Sequence, residues 1–341
     1  MHILITGGAG YIGSHTVKSL AAAGFEPVVL DNLCTGHRWA VRWGEFIQGD
    51  IGDRDLVRQV LQDYDIRVVV HFAASAYVGE SVYEPRPYFH NNVVNTLTLL
   101  DGMLDAGVDR IVFSSTCATY GVPETIPIDE AHLQRPINPY GDSKLFVEQV
   151  LRAYARAYGL HWVALRYFNA AGADLDGELG EDHDPETHLL PLIIDAALGR
   201  RDAVEIFGVD YSTPDGTAIR DFIHVADLAD AHVRAMNHLL NGGESVALNL
   251  GTGVGHSVSD MVNAVERIGR CPVPVRYAPR RAGDPPTLVA AATQAREILG
   301  WTPQHADLQT IVRTAWNWHI GGLLDVRRIS APVAEFALAS D

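Results

Sequence analysis

Through the first half of the chain, short apolar runs alternate with longer segments whose apolar residues recur every three or four positions. The runs His2-Ile3-Leu4-Ile5-Thr6, Glu26-Pro27-Val28-Val29-Leu30, Arg67-Val68-Val69-Val70-His71-Phe72 and Arg110-Ile111-Val112-Phe113-Ser114 have strand length. Helical spacing falls between and after them, over Ser14 to Ala23, Asp53 to Asp63, Asn91 to Ala106 and Ser143 to Tyr158. Strands that alternate with helices predict an α/β fold whose parallel sheet is covered on both faces. After Leu165 the regularity fails, and glycine, proline and aspartate crowd residues 170 to 188. That change is expected where a loop-rich region leaves the core. No period is clear from Gly321 onward.

The first strand runs directly into Gly7-Gly8-Ala9-Gly10-Tyr11-Ile12-Gly13. Glycines let the backbone turn sharply and approach a pyrophosphate, whose charge then meets the N-terminus of the next helix. In that helix Val17, Leu20 and Ala21 share one face, and Gly24 ends it. The second strand leads into Asp31, about twenty residues on, where an acidic side chain can take a ribose 2′-hydroxyl. Strand, loop, helix, strand and acid in this order predict a doubly wound (Rossmann) nucleotide-binding sheet, and Asp31 favours NAD over NADP. Arg38 is the one nearby cation that could take a 2′-phosphate instead.

Composition narrows the class. At 341 residues and 47% hydrophobic content the chain can bury one large or two ordinary cores. A net charge of −16 offers no electrostatic footprint for nucleic acid or an anionic membrane. Cys34, Cys117 and Cys271 are odd in number and widely spaced, which suggests no disulfide framework and fits a reducing cytoplasm. No apolar run reaches a membrane span, and no signal peptide is expected. The fifteen histidines show neither His-x-x-x-His nor a cluster with carboxylates at ligand spacing, so no metal site is expected.

Tyr140 and Lys144 lie one helical turn apart in Asn138-Pro139-Tyr140-Gly141-Asp142-Ser143-Lys144. Residues four apart share a helix face, with Cβ atoms about 5–6 Å apart, so the ammonium can sit beneath the phenol. A nearby cation favours the phenolate and makes a proton acceptor available close to neutral pH. The pattern alone is common; its place downstream of a nucleotide loop makes it a candidate acid–base pair.

These motifs, with Phe113-Ser114-Ser115-Thr116 and Arg166-Tyr167-Phe168-Asn169, resemble the extended short-chain dehydrogenase/reductases. A closer similarity, to the UDP-glucose 4-epimerase family, rests on Asp31-Asn32-Leu33-Cys34, Val78-Gly79-Glu80-Ser81, Ile206-Phe207-Gly208, Asp215-Gly216-Thr217, Arg220-Asp221-Phe222-Ile223-His224-Val225 and Ala278-Pro279-Arg280-Arg281-Ala282-Gly283-Asp284. The resemblance covers about the first 320 residues, in the family's order. It implies that Tyr140 removes the proton of a sugar 4-hydroxyl while C4 passes a hydride to nicotinamide, and that the 4-ketone is then reduced from its other face. Lys144 would hold the nicotinamide ribose and, with the positive nicotinamide, keep the Tyr140 phenolate stable, and Thr116 would hydrogen-bond the 4-oxygen. Gly7, Gly10, Tyr11, Ile12, Gly13, Asp31, Asn32, Asp50, Ile51, Phe72, Ala73, Asn91 and Tyr167 match cofactor-facing positions. Asn169, His188, Leu189, Arg220 and Arg281 match the grip on the nucleotide diphosphate, and Asp284 a position facing the uridine ribose.

Three departures from the best-known members are informative. His188 stands where some have asparagine, and Ala76 where some have a lysine near the cofactor. Leu288 replaces a bulky tyrosine, which implies room for a 2-acetamido group and activity on UDP-N-acetylglucosamine besides UDP-glucose. The rival readings are a 4-epimerase for UDP-xylose, UDP-arabinose or UDP-glucuronate, a nucleotide-sugar dehydratase and a catalytically dead NAD-binding sensor. Dehydratases of this kind follow their threonine with acids, whereas Cys117 and Ala118 follow Thr116. By the same resemblance, residues 1–168 form the NAD-binding domain with a later part returning to it. Residues 169–320 mainly bind the UDP-sugar, and 321–341 form a peripheral tail. Asn91 to Ala106 and Ser143 to Tyr158 match helices that pair in family homodimers.

Overall fold

A computed structural model describes residues 1–281, 284–322 and 326. Seven parallel strands form the main sheet: β1 (His2–Thr6), β2 (Glu26–Asp31), β3 (Glu45–Gln48), β4 (Val69–His71), β5 (Arg110–Thr116), β6 (His161–Tyr167) and, after three strands of another sheet system (β7, Asn169–Ala171; β8, Val204–Phe207; β9, Ile219–His224), β10 (Val246–Leu250). Their order, β10-β6-β5-β4-β1-β2-β3, reverses between β1 and β4. In such sheets ligands bind beyond the carboxyl ends of the strands at the reversal. Helices α1 (Tyr11–Ala22), α2 (Arg54–Asp63), α3 (Val78–Tyr83), α4 (Pro85–Phe89), α5 (Asn95–Ala106) and α6 (Pro139–Tyr158) belong to the first half. They are followed by α7 (Leu189–Ala197) and α8 (Val225–Leu240).

The two faces of the sheet carry separate apolar cores. On one, Ile3, Ile5, Val29, Val70 and Val112 pack with Val17 and Leu20 of α1 and Leu228 and Met236 of α8. On the other, Leu4, Val28, Val69, Ile111 and Phe113 pack with Val57 and Leu61 of α2, Leu99 and Met103 of α5, and Val147 and Leu151 of α6. Alternate residues of each strand therefore point into different cores, as both-face burial requires.

Most expected elements are present with shifted ends. α1 starts three residues before the expected Ser14, because Gly10 has extended backbone and acts as its N-cap. α6 starts at Pro139, before the expected Ser143, because the Asn138 side chain accepts from the Gly141 N–H and proline occupies the first turn. The helix expected from Asn91 has a π-turn over His90–Val94 before α5. There the buried Asn92 amide accepts from the Ser75 N–H at 2.7 Å and donates to the Ser143 hydroxyl at 3.0 Å. That tertiary anchor is the physical reason for the irregular turn.

Beyond β6 the chain builds a smaller α/β region. β7, β9, β11 (Gly255–Ser257) and, after β12 (Val275–Ala278), β13 (Thr287–Leu288) form one small sheet, while β8 pairs with β12. Its core joins Ile193 and Ile194 of α7, Ile206, Phe222, Met261 and Val265 of α9 (Val258–Gly269) and, after α10 (Thr293–Leu299), Ile311 and Val312 of α11 (Leu308–Asn317). Most of the expected tail, 321–341, lies outside the described residues, as do Ala282 and Gly283 of the motif ending at Asp284.

Candidate active site at the carboxyl edge of the sheet

The glycine loop joins β1 to α1 at the reversal point. Gly7 has φ +75°, and a Cβ there would lie 2.5 Å from the Ala73 nitrogen; one at Gly13 would lie 2.2 Å from the Gly7 carbonyl oxygen. Both glycines are therefore required by packing between loop, helix and the end of β4. A Cβ at Gly10 would meet only the Gly7 oxygen, at 3.4 Å. This leaves a cradle over the N-terminus of α1, whose cap makes no side-chain hydrogen bond, so its first N–H groups remain available to a ligand. The cradle and the available N–H groups fit a dinucleotide pyrophosphate.

Asp31 ends β2 and is nearly buried; its carboxylate accepts from the Ala9 N–H at 2.9 Å and the Leu33 N–H at 2.8 Å. Burial raises its pKa, and those two N–H groups oppose the rise. Each oxygen keeps acceptor capacity for a ribose hydroxyl. Arg38 is engaged elsewhere, over the Phe46 ring at 4.6 Å and donating to the Val41 carbonyl at 3.0 Å. Farther along, Asn32 donates to Asp50 at 2.8 Å, and Asp50, Gly52, His90 and Asn95 line an open groove. Ile51 is buried beneath it in the sheet core. Phe72 packs against the His232 ring at 4.6 Å, Ile12 against the α1 side of the core, and Asn91 donates to the Ser75 hydroxyl at 3.1 Å. Tyr11 reaches across to donate to the Gly172 carbonyl at 2.7 Å.

Thr116 and Tyr167 stand in register at the carboxyl ends of β5 and β6. Tyr140, in the first turn of α6, hydrogen-bonds with Thr116, and Tyr167 makes a very short hydrogen bond with Ser114. Lys144, one turn along α6, is buried and donates to the Ser114 carbonyl at 2.8 Å. The three expected catalytic residues are thus brought together.

Lys144 together with the positive nicotinamide is expected to keep Tyr140 as a phenolate. In the chain alone, burial pushes the Tyr140 phenol up to about 12, opposed by its hydrogen bond with Thr116. The Lys144 ammonium lies 6.0 Å from the centre of the Tyr140 ring, and burial lowers its own pKa to about 7. Desolvation dominates both groups in the protein alone, and a positive charge beside the phenol would favour its ionised form.

A buried ion pair fixes this helix. Glu148, one turn beyond Lys144, accepts from Arg166 at 2.9 and 2.6 Å and from Ser115 at 2.7 Å. Arg166 also donates to Tyr120, which donates to Asn249. This network joins α6 to β5, β6 and β10, and no local motif in the sequence marks Glu148.

The expected substrate residues lie on the smaller region. Arg220 on β9 donates to Asp284 at 2.7 Å, so these two meet directly. Arg281 is exposed, with its guanidinium 4.0 Å from the centre of the Phe207 ring. Asn169 begins β7 and is half-buried. Leu288, opposite Arg220 in the sheet register, is half-buried against the cluster of Cys117, Tyr120, Ile128, Phe168 and Ala290. Ala76 is exposed on the segment before α3. His188 caps α7, whose first residue is Leu189, but its ring is turned towards Glu181.

The absence of a histidine–carboxylate cluster, expected from sequence, is corrected here. Glu181, His183, Glu186 and His188 bring one ligand atom each within 4.8 Å of one another. The signal was the spacing Glu-x-His-x-x-Glu-x-His, which follows no helical period and becomes a cluster only when the loop folds back. Burial disfavours the Glu181 carboxylate, but the His188 and His183 rings overcome it and hold its carboxyl below the usual carboxylate range. Burial likewise opposes a charged His183, yet Glu181 and Glu186 push it up to about 10.

The sequence profile of the NAD dependent epimerase/dehydratase family matches residues 3–251. The UDP-glucose 4-epimerase of Rhizobium meliloti (strain 1021) is 57% identical over 318 residues, 93% of this chain and 97% of that protein. Among solved structures, the UDP-glucose 4-epimerase from Brucella ovis in complex with NAD is 55% identical, with a TM-score of 0.91 over 92% of this chain and 97% of that one. The UDP-glucose 4-epimerase from Bifidobacterium longum in complex with NAD+ and UDP is 37% identical, with a TM-score of 0.89 over 94% and 98% of the two chains.

Proposed function

The chain belongs to the NAD dependent epimerase/dehydratase family, and from that premise we propose that it is an NAD-dependent enzyme interconverting UDP-glucose and UDP-galactose. The observation that carries the proposal is the meeting of Thr116, Tyr140 and Lys144 at the carboxyl edge of the sheet, next to a glycine loop that fits a dinucleotide. The names and bound ligands of close relatives support the substrate and the cofactor. NAD, when bound, accepts and returns a hydride at its nicotinamide and, while oxidised, adds positive charge near the phenol.

Tyr140 accepts the proton of the sugar 4-hydroxyl as C4 loses its hydride, and returns that proton when the opposite face of the 4-ketone is reduced. The hydride removed is the hydride returned, so no second reactant is needed. Thr116 holds the 4-oxygen and, through its hydrogen bond, eases ionisation of Tyr140. Lys144, anchored on Ser114, holds the nicotinamide ribose and adds to the local charge. The glycine loop, Asp31, Asn32, Asp50 and Asn91 hold the dinucleotide.

Between the two hydride transfers the sugar must turn over, so binding energy belongs on UDP. Asn169, Leu189, Arg220 and Arg281 would grip the diphosphate, with guanidinium forks suited to phosphate oxygens. Asp284, already joined to Arg220, would face the uridine ribose. His188 keeps Nε2 for the diphosphate while Nδ1 faces Glu181. One observation favours a broader sugar range: Leu288 lies against the cluster that contains Cys117, the residue after Thr116, and a tyrosine there would take up more space. On that ground UDP-N-acetylglucosamine is proposed as a second substrate.

Residues 1–168 with the returning β10 would form the NAD-binding domain, and 169–320 mainly the sugar-nucleotide region. Exposed Val94 and Phe146, at α5 and on α6, support pairing of these helices in a homodimer. Among the described residues no helix is long and apolar enough to cross a membrane. The three cysteines are unpaired, which supports a cytoplasmic setting. Denaturing the purified protein should release NAD, and the native protein should convert UDP-galactose to UDP-glucose without added reductant. Released NAD without conversion would instead mark a sensor.

A further inference from the structure

The loop between β7 and α7 holds the one histidine-rich ligand group among the described residues, and nothing in the proposed reaction uses it as a group. We propose that Glu181, His183, Glu186 and His188 form a binding site for one divalent transition-metal ion of the zinc class, which secures this loop against the glycine loop.

The spacing of the donor atoms carries the argument. Ligands about 2.0–2.1 Å from a tetrahedral zinc ion lie roughly 3.3 Å from one another. His183 Nδ1 is 3.4 Å from Glu181 Oε1 and 3.5 Å from Glu186 Oε2. His188 Nδ1 lies 2.6 Å from Glu181 Oε1, a direct ion contact that an inserted metal would widen by less than an ångström. Glu181 Oε1 and both Nδ1 atoms are buried, yet none has a hydrogen bond of acceptable geometry. They crowd one point without aligning on each other, which is how ligands are placed and not how hydrogen-bonded pairs are.

The surroundings fit the same reading. Glu186 Oε1 accepts the Thr187 and His188 N–H groups at 2.7 and 2.8 Å, which fixes the carboxylate and leaves Oε2 free to face the centre. The rings of Tyr11 and Tyr77 stand edge-on to His183, and Tyr77 also to His188, walling one side of the cluster. Two imidazoles with two carboxylates suit zinc and its neighbours better than magnesium or calcium, which take all-oxygen sites.

A second acidic group on the same loop makes an internal contrast. Asp174, Asp176 and Glu178 converge on the Lys18 ammonium at 2.8 to 2.9 Å, so a cation of the chain's own already satisfies them. Among the described residues the ion partners of Glu181 and Glu186 are only the two imidazoles. The Lys18 cluster, the Tyr11 bond to Gly172 and the His37 bond to the Asp182 carbonyl already tie the loop to the nucleotide side. A metal would complete that tie next to His188.

The test uses the full chain, freed of metal with a chelator and then titrated with zinc in a calorimeter, with bound metal counted after gel filtration. One zinc per chain is expected. His183→Gln and, separately, Glu186→Gln should each weaken binding by more than the roughly 10- to 100-fold that follows loss of a mere supporting partner. Lys18→Met should leave zinc binding unchanged. Cobalt(II) in place of zinc should show the visible absorption of a tetrahedral ion, lost in His183→Gln. Failure of the wild-type chain to retain stoichiometric zinc would overturn the proposal whatever the variants do. So would retention unaffected by both substitutions, which would put the metal elsewhere. Both readouts are independent of epimerisation, so they stand or fall apart from the catalytic reading.

Discussion

Replacing Lys144 with methionine should stabilise the cofactor-free protein while abolishing most of its activity. The side chain is 3% exposed, and burial lowers its pKa from 10.5 to about 7. At about 1.4 kcal/mol for each tenfold change in proton affinity, keeping this amine charged in the fold costs roughly 4 kcal/mol at pH 7. Methionine has similar volume and no charge, so it leaves little cavity. Its loss is the hydrogen bond to the Ser114 carbonyl, worth about 1.5–3 kcal/mol for a charged donor. The net expectation is a gain of roughly 1 to 2.5 kcal/mol at pH 7. The sign with pH follows from the direction of the shift. Between pH 10.5 and 7 only the unfolded chain holds the proton, so the parent loses stability as the pH falls through that window and levels off below it. The advantage of Lys144→Met should therefore be greatest at and below pH 7 and vanish towards pH 10. Urea unfolding of NAD-free parent and variant at several pH values measures this directly. A variant less stable at pH 7, or one whose advantage is flat with pH, would refute the reasoning. Turnover should fall by about 10²- to 10⁴-fold, the range for loss of a positioned acid–base group.

Tyr140→Phe should remove turnover by a similar factor yet leave UDP affinity within about twofold by calorimetry, since the proton acceptor is not a diphosphate contact. Leu288→Tyr should lower kcat/KM for UDP-N-acetylglucosamine by about tenfold or more relative to UDP-glucose, the scale of a steric discrimination; an unchanged ratio would remove the pocket argument. Gly13→Ala forces a Cβ to 2.2 Å from the Gly7 carbonyl oxygen, and should cost about 1–3 kcal/mol and most of the bound NAD on gel filtration. Acid unfolding should be steep. Burial depresses His15 and His232 to about 4 and His71 and His224 to about 3. Above pH 6.5 these rings are neutral in both states, but from there down to about 3–4 only the unfolded chain protonates, so stability falls with pH. His71→Gln should reduce the proton uptake measured from that slope by about one.

What could be read in the sequence was what depends on neighbours along the chain. The order strand, glycine loop, helix, strand and Asp31 is local, and β1, α1 and β2 follow it within a few residues. Tyr140 and Lys144 share a helix, and even its true start was signalled by Asn138 and Pro139, an N-cap and a first-turn proline. The π-turn at His90–Val94 could not be seen, because it depends on Asn92 reaching Ser75 and Ser143, 17 and 51 residues away. Nor could the roles of Glu148 and Arg166, whose pairing joins a helix to a strand. The same division separates the identity of the catalytic groups from their charge. Spacing is enough to place an amine near a phenol. Whether that amine ionises the phenol depends on how much water the fold leaves around both, and here burial raises Tyr140 and lowers Lys144, so each is nearer its neutral form than in solution. In a site arranged in this way a cation beside the phenol would offset its desolvation. Oxidised nicotinamide would supply such a charge and NADH would not, so in the proposed reaction the phenol would be the better proton acceptor while the hydride acceptor is bound.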